Sequence, residues 1–590
     1  MDQTKDKTAE TADQAKAKAK AGPGGRPWHD SYPAGIPFEV DTHRFANLNE
    51  MLDAACARFP QHVAFSNQGS SITYAELDTL SRRFAGYLQH DVGLVKGERV
   101  AIMLPNLLQY PVVLFGVLRA GGVVVNTNPL YTERELLYQL NDSGASCIVV
   151  LENFAHTLEQ VVHSSALRSV ITSEVGDMLS FPRAQLTNFV LRHVRHMVPE
   201  WHMAEARPLP RALHEGGHIA LRPVALAPDE LAFLQYTGGT TGTPKGAMLS
   251  HANLVANVLQ TSAWIGNVMR DGEETAILPL PLYHVFALMA MLTFLHLGAN
   301  SVLVTDPRDM PGFVHLLRHT KASAIIGVNT LFKALLNTPG IAQAAEHRLK
   351  LCIAGGMAVQ RVVADKWQDV FGAPIVEGYG LTEASPIATA NRLDIAEYSG
   401  SIGLPLPSTE VAILDDDGGE LAQDEVGEIA VRGPQVMRGY WKRPDDSAAV
   451  LTADGWLRTG DIGVMDPRGY VKLLDRKKDV IIVSGFKVFP NEVEDVAVAC
   501  PGVLEAVAIG AADERSGEVV KLVVLRQDAT LDADTLLAHC KRNLTGYKVP
   551  KYVVFREQPL PKSAVGKILR RLVQAEMNAP ATAPAPQPVN

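Results

Sequence analysis

The run Phe233-Leu234-Gln235-Tyr236-Thr237-Gly238-Gly239-Thr240-Thr241-Gly242-Thr243-Pro244-Lys245-Gly246 governs how the rest of the chain is read. Residues 233–236 are short and mostly apolar, as a buried strand requires. They lead directly into Gly, Thr and one Lys. Glycines at 238, 239 and 242 let the backbone turn tightly and approach an anion. Threonine hydroxyls and backbone N–H groups donate to phosphate oxygens, and Lys245 supplies positive charge. The order is not that of the nucleoside-triphosphatase P-loop, in which Gly-Lys is followed by Ser or Thr; here Lys245 stands between Pro244 and Gly246. A phosphate-binding turn of another kind is expected, the alternative being a Gly/Thr-rich surface loop.

Outward from this loop, short β-branched runs alternate with helical ones. Residues 112–119 read as a buried helix, Gly121-Gly122 stops it, and 123–125 form a strand. Residues 147–150, 323–328 and 351–353 read as further strands. The alternation argues for α/β layers with mostly parallel sheets. After about residue 401, strands at 410–414, 428–432 and 470–474 are separated by turns such as Asp417-Gly418-Gly419, the mark of a β-rich subdomain. A charged break, Asp475-Arg476-Lys477-Lys478-Asp479, precedes a last α+β unit of ordinary single-domain size. The expected organisation is a tail over 1–26, an N-terminal domain over 27–475 with its β-rich part at 401–475, a C-terminal domain over 476–577, and a Pro/Ala-rich tail over 578–590, both tails disordered.

The hydrophobic share of 47% and charged share of 20% are those of an ordinary globular enzyme, with ample apolar material for a core. A net charge of −9 without a basic stripe argues against a nucleic-acid partner. The five cysteines are odd in number and scattered, so no CxxC metal or redox motif exists and a reducing cytoplasm is expected. Residues 1–26 carry six Lys/Arg and four Asp/Glu with no apolar core of a signal peptide. Residues 275–305 hold no formal charge, but their unbroken apolar part, 286–295, is too short for the roughly 30 Å of hydrocarbon in a bilayer. Strand, loop, buried helix, turn and strand is the expectation there.

Further along, Glu377-Gly378-Tyr379-Gly380-Leu381-Thr382-Glu383 joins glycines, an aromatic ring suited to stacking on a base, and a carboxylate that is a hard oxygen ligand for Mg²⁺. Ala354-Gly355-Gly356 reads as a strand-to-helix turn. In Thr459-Gly460-Asp461 and Asp475-Arg476, a carboxylate can accept both hydroxyls of a ribose diol and an arginine can donate to them. Near the end stands Pro561-Lys562-Ser563-Ala564-Val565-Gly566-Lys567-Ile568-Leu569-Arg570. Each of these segments taken singly has a plainer reading as a turn, a surface carboxylate or a solvated lysine.

Taken in this order, the segments resemble the signature motifs of the adenylate-forming superfamily, which holds acyl-CoA synthetases, peptide-synthetase adenylation domains and firefly luciferase. Over residues 28–575 the resemblance is strongest to bacterial long-chain-fatty-acid–CoA ligases, with Asn106-Leu107-Leu108-Gln109-Tyr110 and Leu544-Thr545-Gly546-Tyr547-Lys548-Val549-Pro550 also similar. The resemblance implies an α/β fold with a large N-terminal domain and a small mobile C-terminal α+β domain. It implies an ATP site made by Tyr236, Thr237, Gly238, Gly239, Thr240, Thr241, Gly242, Lys245, Gly355, Gly356, Glu377, Gly378, Tyr379, Gly380, Thr382, Asp461, Arg476 and Lys567. Mg²⁺ would be held by Thr237 and Glu383, and catalysis carried by Lys567, Glu383, Thr382 and Lys245. His284, Leu288 and Gly380 are expected at the acyl pocket, Ser484 and Gly485 on the CoA side, and Asp475 at a hinge. Acetate-activating relatives carry Trp where this chain has Gly380, so an open acyl channel is implied. The reaction implied is activation of a long-chain fatty acid by ATP to an acyl-adenylate, then thioester formation with CoA. The alternatives are a medium-chain or aryl-CoA ligase, or a fatty-acyl-AMP ligase.

One segment stands outside this scheme. In 186–198 the apolar Leu186, Phe189, Val190, Val194, Met197 and Val198 recur at helical spacing, with Arg192, His193, Arg195 and His196 largely opposite. A basic amphipathic helix of this kind sits in a bilayer interface, or else packs on the core. Peripheral contact with the inner face of the cytoplasmic membrane and a homodimer are both left open.

Overall fold

The computed structural model describes residues 26–237, 244–345, 349–563 and 566–578. The described residues form four sheets. In the first, seven strands run in the order Arg207–Pro208, Ser169–Ser173, Ala145–Leu151, Arg99–Met103, Val123–Asn126, Leu231–Tyr236 and Gly246–Ser250. All its pairings are parallel except the last, an antiparallel hairpin that places Tyr236 opposite Gly246. This hairpin holds the two ends of the glycine–threonine loop.

The second sheet has nine strands. Its parallel centre includes Thr275–Leu278, Ala324–Gly327, Leu351–Ala354 and Ile375–Gly380. One apolar core runs through both sheets, joining Val100, Val124 and Phe233 of the first to Ala276, Ile277 and Ile325 of the second. Between them lie the helices His251–Ile265 and Val285–His296, which pack on each other. The uncharged stretch is thus a strand, a buried helix and a second strand, Asn300–Leu303, as its sequence implied. Among the described residues no helix is long and apolar enough to cross a membrane.

The third sheet is antiparallel, built from Glu410–Leu414, Gly427–Arg432, Leu457–Met465 and Val471–Arg476. Arg26, the last residue assigned to the tail, is anchored here by ion pairs with Glu410 and with Glu39, and Trp28 is buried beside the sheet. The fourth sheet, from Ile481–Val483 through Tyr552–Arg556, has its own core of residues such as Val488, Val493, Leu522 and Leu536.

The charged run at 475–479 differs from a solvated turn. Asp475 lies within Val471–Arg476, opposite Ile462, and is only 2% exposed. Its Oδ1 accepts from the Arg476 N–H at 2.8 Å, its Oδ2 from the Asn491 N–H at 2.7 Å, and Arg570 lies 3.4 Å away. The partners come from 16 and 95 residues downstream. A buried carboxylate is tolerated only with such partners, and no local pattern announces them.

Candidate active site

Three groups of side chains gather the expected site residues. The first stands at the neck of the glycine–threonine loop. The Thr237 N–H donates to the Lys245 carbonyl at 2.9 Å, closing the loop across its base. At Gly246 the backbone lies close under the Tyr236 ring, where a Cβ would come to 3.2 Å. The Tyr236 hydroxyl donates to Asp142 at 2.6 Å, and Asp142 is also bound by Arg443 at 2.8 Å. Lys245 Nζ pairs with Asp446 at 2.6 Å and lies 5.1 Å from the centre of the Tyr440 ring. Tyr440 in turn donates to Glu383 Oε1 at 2.6 Å. Tyr440 therefore links the lysine to the carboxylate expected to bind metal, a link the sequence alone did not reveal. The only local sign was an aromatic pair, Tyr440-Trp441, in a polar run. Gly238, Gly239, Thr240, Thr241 and Gly242 lie outside the described residues.

The second group lies at the end of the strand Ile375–Gly380, which pairs in parallel with Leu351–Ala354 so that Ala354 faces Glu377. That register sets Gly355-Gly356 beside Gly378. A Cβ at 355 would lie 3.0 Å from Phe286 and 3.4 Å from the Gly378 carbonyl. The Glu377 carboxyl is buried and accepts from the Val359 N–H at 2.9 Å, and burial pushes it up to about 7. It staples the turn after Gly356. Tyr379 is buried, and its hydroxyl donates to Asp461 at 2.7 Å. Arg476 stands opposite Asp461 in the antiparallel ladder, with Nε 3.2 Å from Oδ1. The ribose pair expected from sequence is thus assembled, with Tyr379 joined to it.

Gly380 has a reason of its own: a Cβ at this position would fall 1.9 Å from the Pro386 carbonyl oxygen. Backbone approaches it closely on that side. Thr382 and Glu383 follow in the short helix Thr382–Ala384, whose C-terminal end is Ser385 at φ 66°.

The third group is a cleft lined by Leu280, His284, Phe286, Val328, Gly355, Gly356, Met357 and Lys567. Lys567 arrives from the C-terminal segment. A Cβ on Gly566, at φ 81°, would meet Thr330 at 2.6 Å, so glycine lets the lysine loop seat closely. Burial, then the positive charge of Arg476, lowers the Lys567 ammonium to about 8, against the pull of Asp461. His284 caps the buried helix Val285–His296 without a side-chain hydrogen bond to it, and its Nδ1 is buried with no partner among the described residues. Burial and the charge of Lys567 lower it to about 4, so the ring is neutral at pH 7.

Other expected residues lie elsewhere. Leu288 is fully buried in the core rather than on the cleft. Ser484 and Gly485 form the exposed tip of a hairpin, with φ of 50° and 85°. Beside it Phe486 stacks on Tyr547 with centroids 4.8 Å apart.

The model of the AMP-binding enzyme family matches residues 52–441, and that of the AMP-binding enzyme C-terminal domain matches 492–567. The chain belongs to the AMP-binding enzyme family. It is 51% identical over 550 residues to a long-chain-fatty-acid–CoA ligase of Escherichia coli O157:H7, spanning 93% of this chain and 98% of the relative. A ligase of the same name from Haemophilus influenzae is 48% identical over the same shares. Among solved structures, ATP-bound MatB from Rhodopseudomonas palustris superposes with a TM-score of 0.78 at 28% identity, over 90% of this chain and 99% of that one. As an AMP-binding enzyme the chain uses ATP, Mg²⁺ and CoA. The residues present fit Mg²⁺. Among the described residues, Glu383 Oε1 accepts from Tyr440 while no partner is found for Oε2, and the Thr237 hydroxyl stands at the loop neck 3.4 Å from the Lys245 carbonyl. Mg²⁺ takes few protein oxygens and completes its shell with phosphates and water.

Proposed function

We propose that this AMP-binding enzyme is a long-chain-fatty-acid–CoA ligase that makes an acyl-adenylate from ATP and a fatty acid and transfers the acyl group to CoA, releasing AMP and pyrophosphate. The observation that carries the reading is the entry of Lys567 into the cleft formed by Gly355-Gly356 and His284, next to Asp461 and Arg476. A carboxylate is a poor electrophile, and its mixed anhydride with AMP is a good one. Acid and nucleotide are both anions, so their encounter needs fixed positive charge and an in-line arrangement. Lys567 supplies that charge where the α-phosphate meets the acid, and Lys245 supplies it at the loop. Asp461 and Arg476 hold the ribose, with Tyr379 fixing Asp461. Gly355-Gly356 and Gly378 leave a flat backbone surface for adenine. Glu377 supports that surface by holding the turn at Val359 rather than by touching the nucleotide. Mg²⁺, held by Thr237 and Glu383, would offset charge on the phosphates. Neutral His284 and the apolar Leu280, Phe286, Val328 and Met357 give the acyl group a dry approach.

The proposed domain limits are those of the sequence, 27–475 and 476–577, with Asp475 at the swivel. They are supported by the change of sheet between Val471–Arg476 and Ile481–Val483 and by the separate core that follows. Ser484 and Gly485 are proposed on the CoA side after rotation. Placement in the cytoplasm agrees with five free, buried cysteines. Peripheral contact with the membrane is proposed at residues 186–198. The helix there runs over Arg183–Phe189 and passes directly into a π-helical turn at Val190–Val194. Phe181, Leu186, Phe189, Val194 and Met197 are all more than half exposed, and Arg192 is turned inward to Glu152 and Glu174.

Pyrophosphate release measured across acids from acetate to very long chains, with and without CoA, tests the function. CoA-dependent turnover that peaks at long chains is expected. A peak at aromatic or short acids, or acyl-AMP release with no use of CoA, would overturn it.

A further inference from the structure

Arg570 lies three residues beyond Lys567, at the first position of the helix Arg570–Asn578. Its guanidinium is held at both ends. Nη1 is 2.9 Å from Asp479 and 3.4 Å from Asp475; Nη2 is 2.8 Å from Glu494 and 3.3 Å from Asn491 Oδ1. Its side chain is 17% exposed, and the Asp475 side chain only 1%. Three carboxylates around one planar fork far exceed what a surface arginine needs. Only the fork geometry of arginine serves them together.

The connection from this fork to Lys567 is short and stiff. The Leu569 N–H donates to the Pro561 carbonyl at 2.8 Å, the Ser563 N–H to the Lys567 carbonyl at 2.8 Å, and the Gly566 N–H to the Ser563 carbonyl at 2.9 Å. The Lys567 N–H reaches Ser563 Oγ at 3.2 Å. The lysine thus sits on a closed turn whose far end is Arg570. Of the fork's partners, Asp479, Asn491 and Glu494 belong to the same C-terminal segment as the lysine. Asp475 belongs to the four-stranded sheet and immediately precedes Arg476, which with Asp461 flanks the lysine head. Arg570–Asp475 is therefore a direct tie between the lysine turn and the sheet that carries the proposed ribose pair.

We infer that Arg570 is the positioning residue for Lys567: by clamping Asp475 it sets how far the lysine reaches into the cleft during acyl-AMP formation. The inference rests on the assignment of Lys567 to that half-reaction. Removal of the clamp leaves the lysine chemically intact but free to withdraw. A displacement of about 1 Å in a reacting group costs on the order of 100-fold.

Arg570→Gln, Arg570→Lys, Asp475→Asn and Lys567→Ala are to be compared in two assays: acyl-AMP formation from ATP and palmitate, and acyl-CoA formation from supplied palmitoyl-AMP and CoA. Arg570→Gln is expected to lower the first by about 100-fold through kcat, with little change in KM for ATP, and to spare the second. Arg570→Lys is expected to recover part of the loss. The alkaline limb of acyl-AMP formation should move to higher pH in Arg570→Gln, because Arg570 and Arg476 disfavour the Lys567 charge while Asp461 and Asp479 favour it, and His284 is neutral. Should Arg570→Gln fail to fold, Asp475→Asn, which weakens the tie to the sheet and one of the backbone bonds from Arg476 or Asn491, is expected to show the same split between the two assays, without a shift of the limb to higher pH because the Arg570 charge is kept. Unimpaired acyl-AMP formation in the folded variants, or equal loss of both half-reactions with an unmoved limb, overturns the inference. If Lys567→Ala is crippled and the others are not, the positioning role fails and the lysine assignment stands. If Lys567→Ala forms acyl-AMP at the unmodified rate, both fail.

Discussion

Two lysine-bearing turns meet the proposed nucleotide, and they are built on opposite plans. Lys245 stands at the neck of a hairpin in the seven-stranded sheet, more than a third exposed, paired with Asp446 and lying over Tyr440. Lys567 stands on a separate turn beside a largely buried arginine, half-buried itself, with Arg476 rather than an acid as its strongest neighbour. The first lysine is held by partners on the N-terminal side of Asp475. The second is held on a turn from beyond Asp475. The difference teaches that, if the C-terminal segment swivels at Asp475 as proposed, charge near the loop would stay while charge at the cleft would leave with the segment. Such division suits an enzyme that needs a cation in one half-reaction and an open face in the next.

The largest expected effect breaks the comparison on its second side. Lys567→Ala should reduce acyl-AMP formation by about 100-fold or more, since removing one preorganised charged donor costs on that order. The same variant, given acyl-AMP and CoA, should still make acyl-CoA at a substantial rate. Equal loss in both assays would make the two lysines alike.

Gly380→Ala should come next. The added methyl would overlap the Pro386 carbonyl, a strain of about 1–3 kcal/mol or more if the backbone must shift. Thermal unfolding should show the loss of stability, and activity should fall for every chain length. Gly380→Trp should do the same more severely. A selective loss of long-chain substrates, with stability kept, would restore the view of Gly380 as a pocket wall.

The pH dependence follows from the buried lysine. Its charged form is required, and its folded value is lowered to about 8. Acyl-AMP formation should therefore fall as pH rises through 8, and the fall should be absent in Lys567→Ala. Stability has the opposite sign. Between about 8 and the ordinary lysine value near 10.4 the unfolded chain holds the proton that the folded one has lost, so this group's contribution rises with pH. Urea titrations of the two proteins across that window measure it.

The smallest expected effect concerns the exposed apolar segment. Phe189→Asp with Leu186→Asp should weaken co-sedimentation with liposomes of anionic lipid and leave pyrophosphate release from a short, water-soluble acid intact. Unchanged sedimentation in the folded variant would leave the segment without a membrane role.

Much of the architecture could be read locally. The strand before the loop, the buried helix at Val285–His296 and the strands of the antiparallel sheet all follow from apolar runs ended by glycine or turn residues. The nearness of Asp461 and Arg476 was expected only from the resemblance, and the structure sets them opposite one another in an antiparallel ladder. By contrast, Tyr440–Glu383, Lys245–Asp446 and Arg570–Asp475 join residues 57, 201 and 95 positions apart. No periodicity reports such pairings. The segment at 186–198 shows the same limit. Its spacing identified the apolar residues, but the pairing of Arg192 with Glu152 and Glu174 joins it to residues on neighbouring segments.

What the sequence by itself determined is the residue types on offer, namely a glycine–threonine run with one lysine, the carboxylates Glu383 and Asp461, the basic Arg476 and Lys567, and the α/β layers that carry them. Glycine spacing, apolar period and charge are local properties, and local physics is enough to interpret them. What only the tertiary structure decided is which of these groups are held and by what. It buried Asp475 against Arg570, bonded the Glu377 carboxyl to the Val359 N–H, and brought the Pro386 carbonyl against Gly380. The reason is that the cost of burying a charge or a Cβ is set by whatever the rest of the chain brings to within a few ångströms, and those partners are chosen by the fold.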